Sequence, residues 1–238
     1  MTVLRSPWDY VDHYVEFLTW AEQVSASSGL WNPLALVRWN THKAYLLDLR
    51  ERGAPVVPTV VLPGGSAASL DGICDAQGWN SMVVKPAISS GAKGAQRAEV
   101  GDPAAQAHLD DLLAAGDALV QQYVPAVASE GEWSVVLIEG RVSHALCKRP
   151  ALGDYRVQEE WGGSIERVNP QASLAELATR VCEVLPAQPL YARVDLVSLS
   201  GQWHVMEVEV TEPSLWLHLA PDTTRRLADA IGRRVSRD

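Results

Sequence analysis

Arg193, Asp195, Glu207 and Glu209 are set into an apolar stretch near the C-terminus, YARVDLVSLSGQWHVMEVEVTEP (191–213). Glu207 and Glu209 are two apart, so on a strand both carboxylates leave the same face. Like charges on one face of a Val-rich strand repel unless something neutralises them. A hard divalent cation bound through oxygen would do so. If Arg193 and Asp195 point the same way from a neighbouring strand, the stretch offers three carboxylates and one guanidinium, a set suited to holding Mg²⁺ against a polyphosphate. An ordinary hairpin with a solvated polar face fits the same residues equally well, and the spacing alone does not separate the two readings.

The elements that must position this set can be read upstream. The runs Tyr191–Leu199 and Trp203–Val210 flank Ser200-Gly201 and predict a hairpin. Met82–Pro86 reads as a buried strand carrying Lys85. It runs into a small-residue loop, Ile88-Ser89-Ser90-Gly91-Ala92-Lys93-Gly94, and a returning strand near Ala95–Val100. Such a loop can fold its N–H groups and hydroxyls over phosphates, because little side-chain bulk obstructs them. It is also what an ordinary surface loop looks like, and the GxxxxGK[ST] spacing is absent. Ser6-Pro7-Trp8-Asp9 predicts a helix start with Ser6 as cap. Asn40 is expected to cap a second helix, Thr41–Arg52, with Lys43 in its first turn. A strand over Val56–Leu62, a weak helix over Ala67–Gln77, a helix over Pro103–Ala115 and a strand over Ala118–Val124 follow. Strands Trp133–Ile138 and Arg141–Cys147, a polar segment Gly153–Gly163, a helix Leu174–Leu185 and a closing amphipathic helix Asp222–Val235 complete the order. Strands and helices alternate irregularly with several hairpins, which supports the α+β class.

Composition bounds the rest. With 238 residues, 47% of them hydrophobic, the chain can bury a full core. A net charge of −9 without a basic stripe argues against nucleic acid. Three cysteines (Cys74, Cys147 and Cys182) have no metal-type spacing and read as core thiols. No apolar run approaches membrane-spanning length and no signal peptide is evident, so a cytoplasmic protein without a membrane partner is expected.

Taken in order, the motifs resemble the ATP-grasp superfamily from about Asn40 onward, nearest to bacterial glutathione synthetase, the RimK-type ligases and the D-cycloserine ligase group. Lys43 in NTHK and Lys85 in VVKP match the two nucleotide lysines. The segment 88–94, with Ser89, Ser90 and Gly91, matches the phosphate-covering loop. LVQQYVPAV, with Gln121, Gln122, Tyr123 and Val124, resembles the hinge strand that reads adenine, and Glu132 falls at the ribose-binding acid. KRP with the following RVQ…GG, containing Lys148 and Arg156, resembles the substrate and phosphate loop. Asp195, Glu207 and Glu209 occupy the metal-ligand positions, and EVEVTEPS follows the ending of the glutathione synthetases.

The resemblance implies an ATP-grasp fold of two α+β subdomains holding ATP between them (40–238), preceded by a partial α/β N-terminal segment (1–39). It implies an ADP-forming ligase that phosphorylates a carboxylate and lets an amine attack the acyl phosphate, with ATP and two Mg²⁺ ions, Mn²⁺ being able to substitute. Small-molecule carboxylate and amine substrates are expected, and a homodimer is compatible with it. Lys43, Lys85 and Lys148 would then serve the nucleotide, while Arg193 and Arg156 would stabilise charge on the transferred phosphoryl group. Two departures stand out. Many relatives have asparagine where this chain has Glu209. The opening residues correspond to only the second half of the relatives' first domain, which reads either as a truncated start or as loss of part of the substrate site. An ATP-binding remnant and a small-molecule kinase on the same fold are the alternatives.

Overall fold

Period-two alternation along the strands builds two antiparallel sheets that face each other, as seen in the computed structural model, which describes residues 1–235. The larger sheet has the order Gln202–Glu209, Tyr191–Leu199, Glu132–Ile138, Arg141–Arg149, Ser164–Val168. The smaller has the order Thr59–Leu62, Ala118–Gln122, Ser81–Pro86, Gln96–Glu99.

Helices cover one face of the smaller sheet, one face of the larger sheet and part of the larger sheet's other face. In the larger sheet Val135, Leu137, Ala192, Val194 and Leu196 pack on Leu174, Leu177, Ala178 and Val181 of helix Ala172–Glu183. On the opposite face Val136, Ile138 and Tyr191 meet Leu227 and Ala230 of helix Pro221–Val235. That second face changes character along its length, because the alternate positions Glu132, Ser134, Arg193 and Asp195 continue it with polar groups. In the smaller sheet Met82, Val84, Ala118 and Val120 cover Leu70, Cys74, Leu109 and Leu113 of helices Leu70–Gln77 and Pro103–Ala115. Val83, Lys85 and Gln121 therefore look the other way. All three cysteines are buried and free, as expected of core thiols.

The expected hairpin forms with Arg193 opposite Glu209 and Asp195 opposite Glu207. Ser200 and Gly201 both have positive φ (53° and 75°), the geometry of a two-residue hairpin turn. Helix Pro103–Ala115 starts where its sequence says, with Asp102 accepting a hydrogen bond from the Ala104 N–H.

Other expectations are corrected. Ser6 caps nothing: a 3₁₀ turn occupies Trp8–Asp12, and the helix runs Tyr14–Ser27. Pro7 and His13 have non-helical backbones, and Tyr10 turns inward to a small core with Leu4, Phe17 and Leu30. The helix expected over Thr41–Arg52 is shorter, Tyr45–Glu51; a separate helix, Leu34–Asn40, precedes it, and Lys43 lies in the turn between them. Asn40 is not a cap, because its amide is used elsewhere. It donates to Val208 O at 2.7 Å and accepts from Val210 N at 2.8 Å, gripping the strand that carries Glu207 and Glu209. Each buried group left without its partner costs about 1–3 kcal/mol. Asn40→Ala is accordingly expected to lower unfolding free energy by about 2–4 kcal/mol, as read by urea denaturation, and an unchanged midpoint would refute this bracing.

Ser164–Val168 and the short helix Ala126–Glu130 had no sequence signal strong enough to be anticipated. The strand is a polar sheet edge of five residues, and the helix a single turn inside a Pro/Ala/Ser stretch. At the N-terminus Thr2–Val3 pairs in parallel with Leu30–Trp31. Asn32, fully buried, fastens this segment to the large sheet by donating to Tyr191 O and Val210 O and accepting from Leu190 N. Among the described residues no helix is long and apolar enough to cross a membrane.

Candidate functional site

Between the two sheets lies a cavity of about 650 Å³. Its wall includes every residue singled out from the sequence: Lys43, Lys85, Ser89, Ser90, Gly91, Gln121, Gln122, Tyr123, Val124, Glu132, Lys148, Arg156, Arg193, Asp195, Glu207 and Glu209.

The floor is the polar half of the large sheet. Cross-strand pairing sets Asp195 beside both Ser134 and Glu207, and Glu132 beside Lys148. Asp195, Glu207 and Glu209 each turn a carboxylate oxygen to within 4.8 Å of the others. The Arg193 guanidinium lies along Asp195 (Nε to Oδ1 3.0 Å, Nη2 to Oδ2 2.8 Å) and also pairs with Glu209. Ser134 donates to Asp195 Oδ1 at 2.5 Å, and Lys148 bridges Glu132 (2.5 Å) and Asp195 (3.4 Å). Burial opposes ionisation of Asp195, but Arg193 and Lys148 overcome it and hold the carboxyl well below the usual range. Glu209 goes the other way: burial, with Glu207 and Asp195 nearby, pushes it up to about 7 against the pull of Arg193.

Lys43 is not an open lysine. Its ammonium pairs with Glu207, and its N–H donates to Ala87 O at 2.8 Å. Burial would lower its pKa, but the facing acids, Glu207 first, keep it raised. Lys85 sits on the opposing sheet, donating to Gln121 Oε1 at 3.0 Å, and Gln121 in turn donates to Thr59. Gln121 thus enters the cavity through its side chain. The N–H groups of Gln122 and Tyr123 are engaged with Pro58 O and Ser81 O.

Burial, helped by Lys43, lowers Lys85 to about 8 against the attraction of Glu207 and Glu132. A phosphate would restore its charge, so nucleotide binding above pH 8 takes up a proton. Affinity then falls as pH rises, by up to about tenfold per unit. Calorimetry at pH 8.5 in buffers of different ionisation enthalpy reads that uptake. It should vanish in Lys85→Met, and equal uptake in both proteins would contradict the assignment.

The roof is less regular. Gly91, Ala92 and Gly94 all have positive φ in the 88–94 loop. Ser90 Oγ donates to Trp8 O at 3.2 Å, and the exposed Lys93 pairs with Asp12 at 2.7 Å. Arg156 reaches the cavity from the 151–163 segment but is not joined to the acids. Asp154 holds it bidentately, and it lies 3.6 Å over the Trp161 ring.

Trp8 and Trp161, for which the sequence supports no functional claim, also line the cavity. Glu212 and Tyr10, which also line it, were not singled out from the sequence. Period-two logic stops at Glu209, so an acid three residues further on carried no signal. A buried tyrosine in a 3₁₀ turn carried none either.

A family model described as the ATP-grasp domain of prokaryotic glutathione synthetase matches residues 59–220. The chain belongs to this ATP-grasp family. A second model, the N-terminal domain of D-cycloserine synthetase DcsG, matches residues 1–32. The ATP-grasp chain is 35% identical to the cycloserine biosynthesis protein DcsG of Streptomyces lavendulae, over 98% of its own length and 82% of the relative's. It superposes on the crystal structure of D-cycloserine synthetase DcsG with a TM-score of 0.89 at 31% identity, covering 98% of this chain and 82% of that one. A D-alanine–D-alanine ligase from Bacillus anthracis complexed with ATP gives 0.69 at 18% identity, with 90% and 73% covered, which is a likeness of fold. This ATP-grasp chain is an ATP-dependent ligase that forms C–N bonds.

Proposed function

We propose that the chain joins a small amino-acid-like carboxylate to an amine through an acyl phosphate, in a Mg²⁺-dependent reaction. The observation that carries this reading is the convergence of Asp195, Glu207 and Glu209 on one point of a cavity whose far wall bears Lys85. Three oxygen donors at that spacing fit Mg²⁺, which takes one or two carboxylates plus substrate phosphates and keeps several waters. Two ions fit three acids plus a triphosphate, and Mn²⁺ would substitute. Asp195, Glu207 and Glu209 would hold the ions, which would supply charge neutralisation to the phosphate oxygens.

The chain's own residues do the rest. Lys43 leaves Glu207 for the phosphates and so frees that carboxylate as a ligand. Lys85 takes the adjacent phosphate oxygens, Glu132 the ribose hydroxyls, and 121–124 the adenine. The substrate carboxylate oxygen attacks the γ-phosphorus and ADP departs. The amine then attacks the acyl carbon, phosphate leaves, and the nitrogen loses its proton. Arg193 and Arg156 stabilise negative charge in these steps, the latter after release from Asp154. Loop 88–94 excludes water, which would hydrolyse the acyl phosphate. Residues 1–39 act as a substrate-side segment and 40–238 as the ATP-grasp unit. An amino-acid-like substrate is supported by the similarity to a cycloserine synthetase.

The test is ADP and phosphate release with pooled amino acids and amines. Equal release of both, with an amide product, is expected. ADP without phosphate would mean phosphotransfer to a stable product and overturn the ligation.

A further inference from the structure

Most buried carboxylates lining the cavity have a cation. Asp195 and Glu209 have Arg193, Glu207 has Lys43, and Glu132 has Lys148. Glu212 is 7% exposed, lines the same cavity, and is the buried acid there that makes no ion pair among the described residues. Its side chain neighbours the Tyr10 hydroxyl, whose pKa burial and, next, the Glu212 charge push up. Its backbone carbonyl accepts from Trp8 Nε1 at 3.0 Å. Both partners come from the 3₁₀ turn Trp8–Asp12, and the Trp8 ring, 56% exposed, stands on the cavity wall.

We propose that Glu212, the Tyr10 hydroxyl and the Trp8 ring form a subsite for a protonated amino group on the carboxylate substrate, and that this group is a bystander to bond formation. The proposal rests on the ligase reading. A buried acid without a cation is costly, and a cation brought by a ligand relieves that cost. An exposed indole face beside the acid adds a second attraction for an ammonium group. The ammonium must be a bystander because a carboxylate stabilises the protonated amine and so withholds its lone pair. The attacking amine needs that lone pair. An α-amino acid meets both demands, since its ammonium lies two bonds from its carboxyl carbon. Its carboxylate can face the metal-binding acids while its ammonium turns toward Glu212, three residues beyond Glu209. Substrate selection is thereby shared between the end of the C-terminal hairpin and the N-terminal turn.

Serine and alanine, both enantiomers, are titrated calorimetrically against wild type with MgAMPPNP bound, beside glycerate and lactate, which replace the amino group by hydroxyl. At least one amino acid is expected to bind about tenfold or more tightly than its hydroxy analogue. In Glu212→Gln that preference should shrink to within about threefold, and Glu212→Asp should recover part of it. Cooperative melting and a MgAMPPNP-induced rise in Tm, read in the same samples, show that each variant is folded. Hydroxy acids binding as tightly as amino acids overturns the subsite. So does an undiminished preference in Glu212→Gln, or the absence of binding by either series to nucleotide-loaded wild type. Amino-acid preference without ADP release from any acid would instead refute the ligation and leave the subsite standing.

Discussion

Glu207→Gln is expected to lower kcat/KM by about 10²–10³-fold in a protein that still unfolds cooperatively. Glu207 is the acid at which three roles meet. It pairs with Lys43, it stands opposite Asp195 across the hairpin, and the charges of Lys43 and Lys85 hold it ionised in spite of burial. Glutamine preserves shape and hydrogen bonding but removes the charge that a divalent cation requires. Because the substitution is isosteric and strand 202–209 is still braced by Asn40 and by Tyr45, whose hydroxyl accepts from Val208 N, folding should survive. Steady-state kinetics with varied Mg²⁺ checks this. The loss should be accompanied by a higher Mg²⁺ requirement, and wild-type Mg²⁺ dependence in the variant would remove Glu207 from the site.

Arg193→Met is expected to cost about 3–5 kcal/mol of stability at neutral pH in the absence of ligands, as well as activity. Arg193 is 7% exposed and is the partner of both Asp195 and Glu209; it also donates to Ser214 O at 3.3 Å and lies 5.1 Å over the Trp216 ring. Methionine fills much of the volume but leaves two buried carboxylates facing each other. Asp195 keeps Ser134 and Lys148, whereas Glu209 keeps no cation in direct contact among the described residues. The sign of the pH dependence follows. Arg193 depresses the Asp195 pKa, so it contributes stability above the unfolded pKa that is lost as pH falls through the folded value. The deficit of the variant should therefore be largest near neutrality and shrink in acid, where both carboxyls are protonated. Guanidinium denaturation across that range measures it, and a deficit that grows in acid would contradict the pairing. Arg193→Lys restores charge but not the fork along Asp195, so only part of the stability should return.

How much was legible beforehand depends on the kind of signal. The hairpin could be read because alternation, a Ser-Gly turn and paired acids all agreed, and register then followed from the turn. The pair of strands carrying Lys85 could be read because an apolar run, a small-residue loop and a returning strand follow one another. Asn40 was misread because a side chain that caps a helix and one that grips a distant strand are the same amide; only the three-dimensional position of Val208 and Val210 separates them. Ser6-Pro7 resembled a helix start, yet Tyr10 gained more by burial beside Leu4 and Phe17 than the backbone gained by a regular first turn. The metal acids were found through their spacing. Lys43 was placed among the phosphate ligands, but that its ammonium already neutralises Glu207 is a long-range pairing, which no local pattern encodes. Glu212 lay outside the strand period and its aromatic neighbours are 202 or more positions away, so nothing in the chain linked them.

The most direct test of the account is a crystal structure with Mn²⁺ and AMPPNP, in which anomalous scattering locates the metal. The account predicts manganese directly coordinated by Asp195, Glu207 and Glu209, with Lys43 moved from Glu207 onto the phosphates and Lys85 beside them. Manganese held by the phosphates alone, with Lys43 still on Glu207 and Arg193 still closing off Asp195 and Glu209, would contradict it.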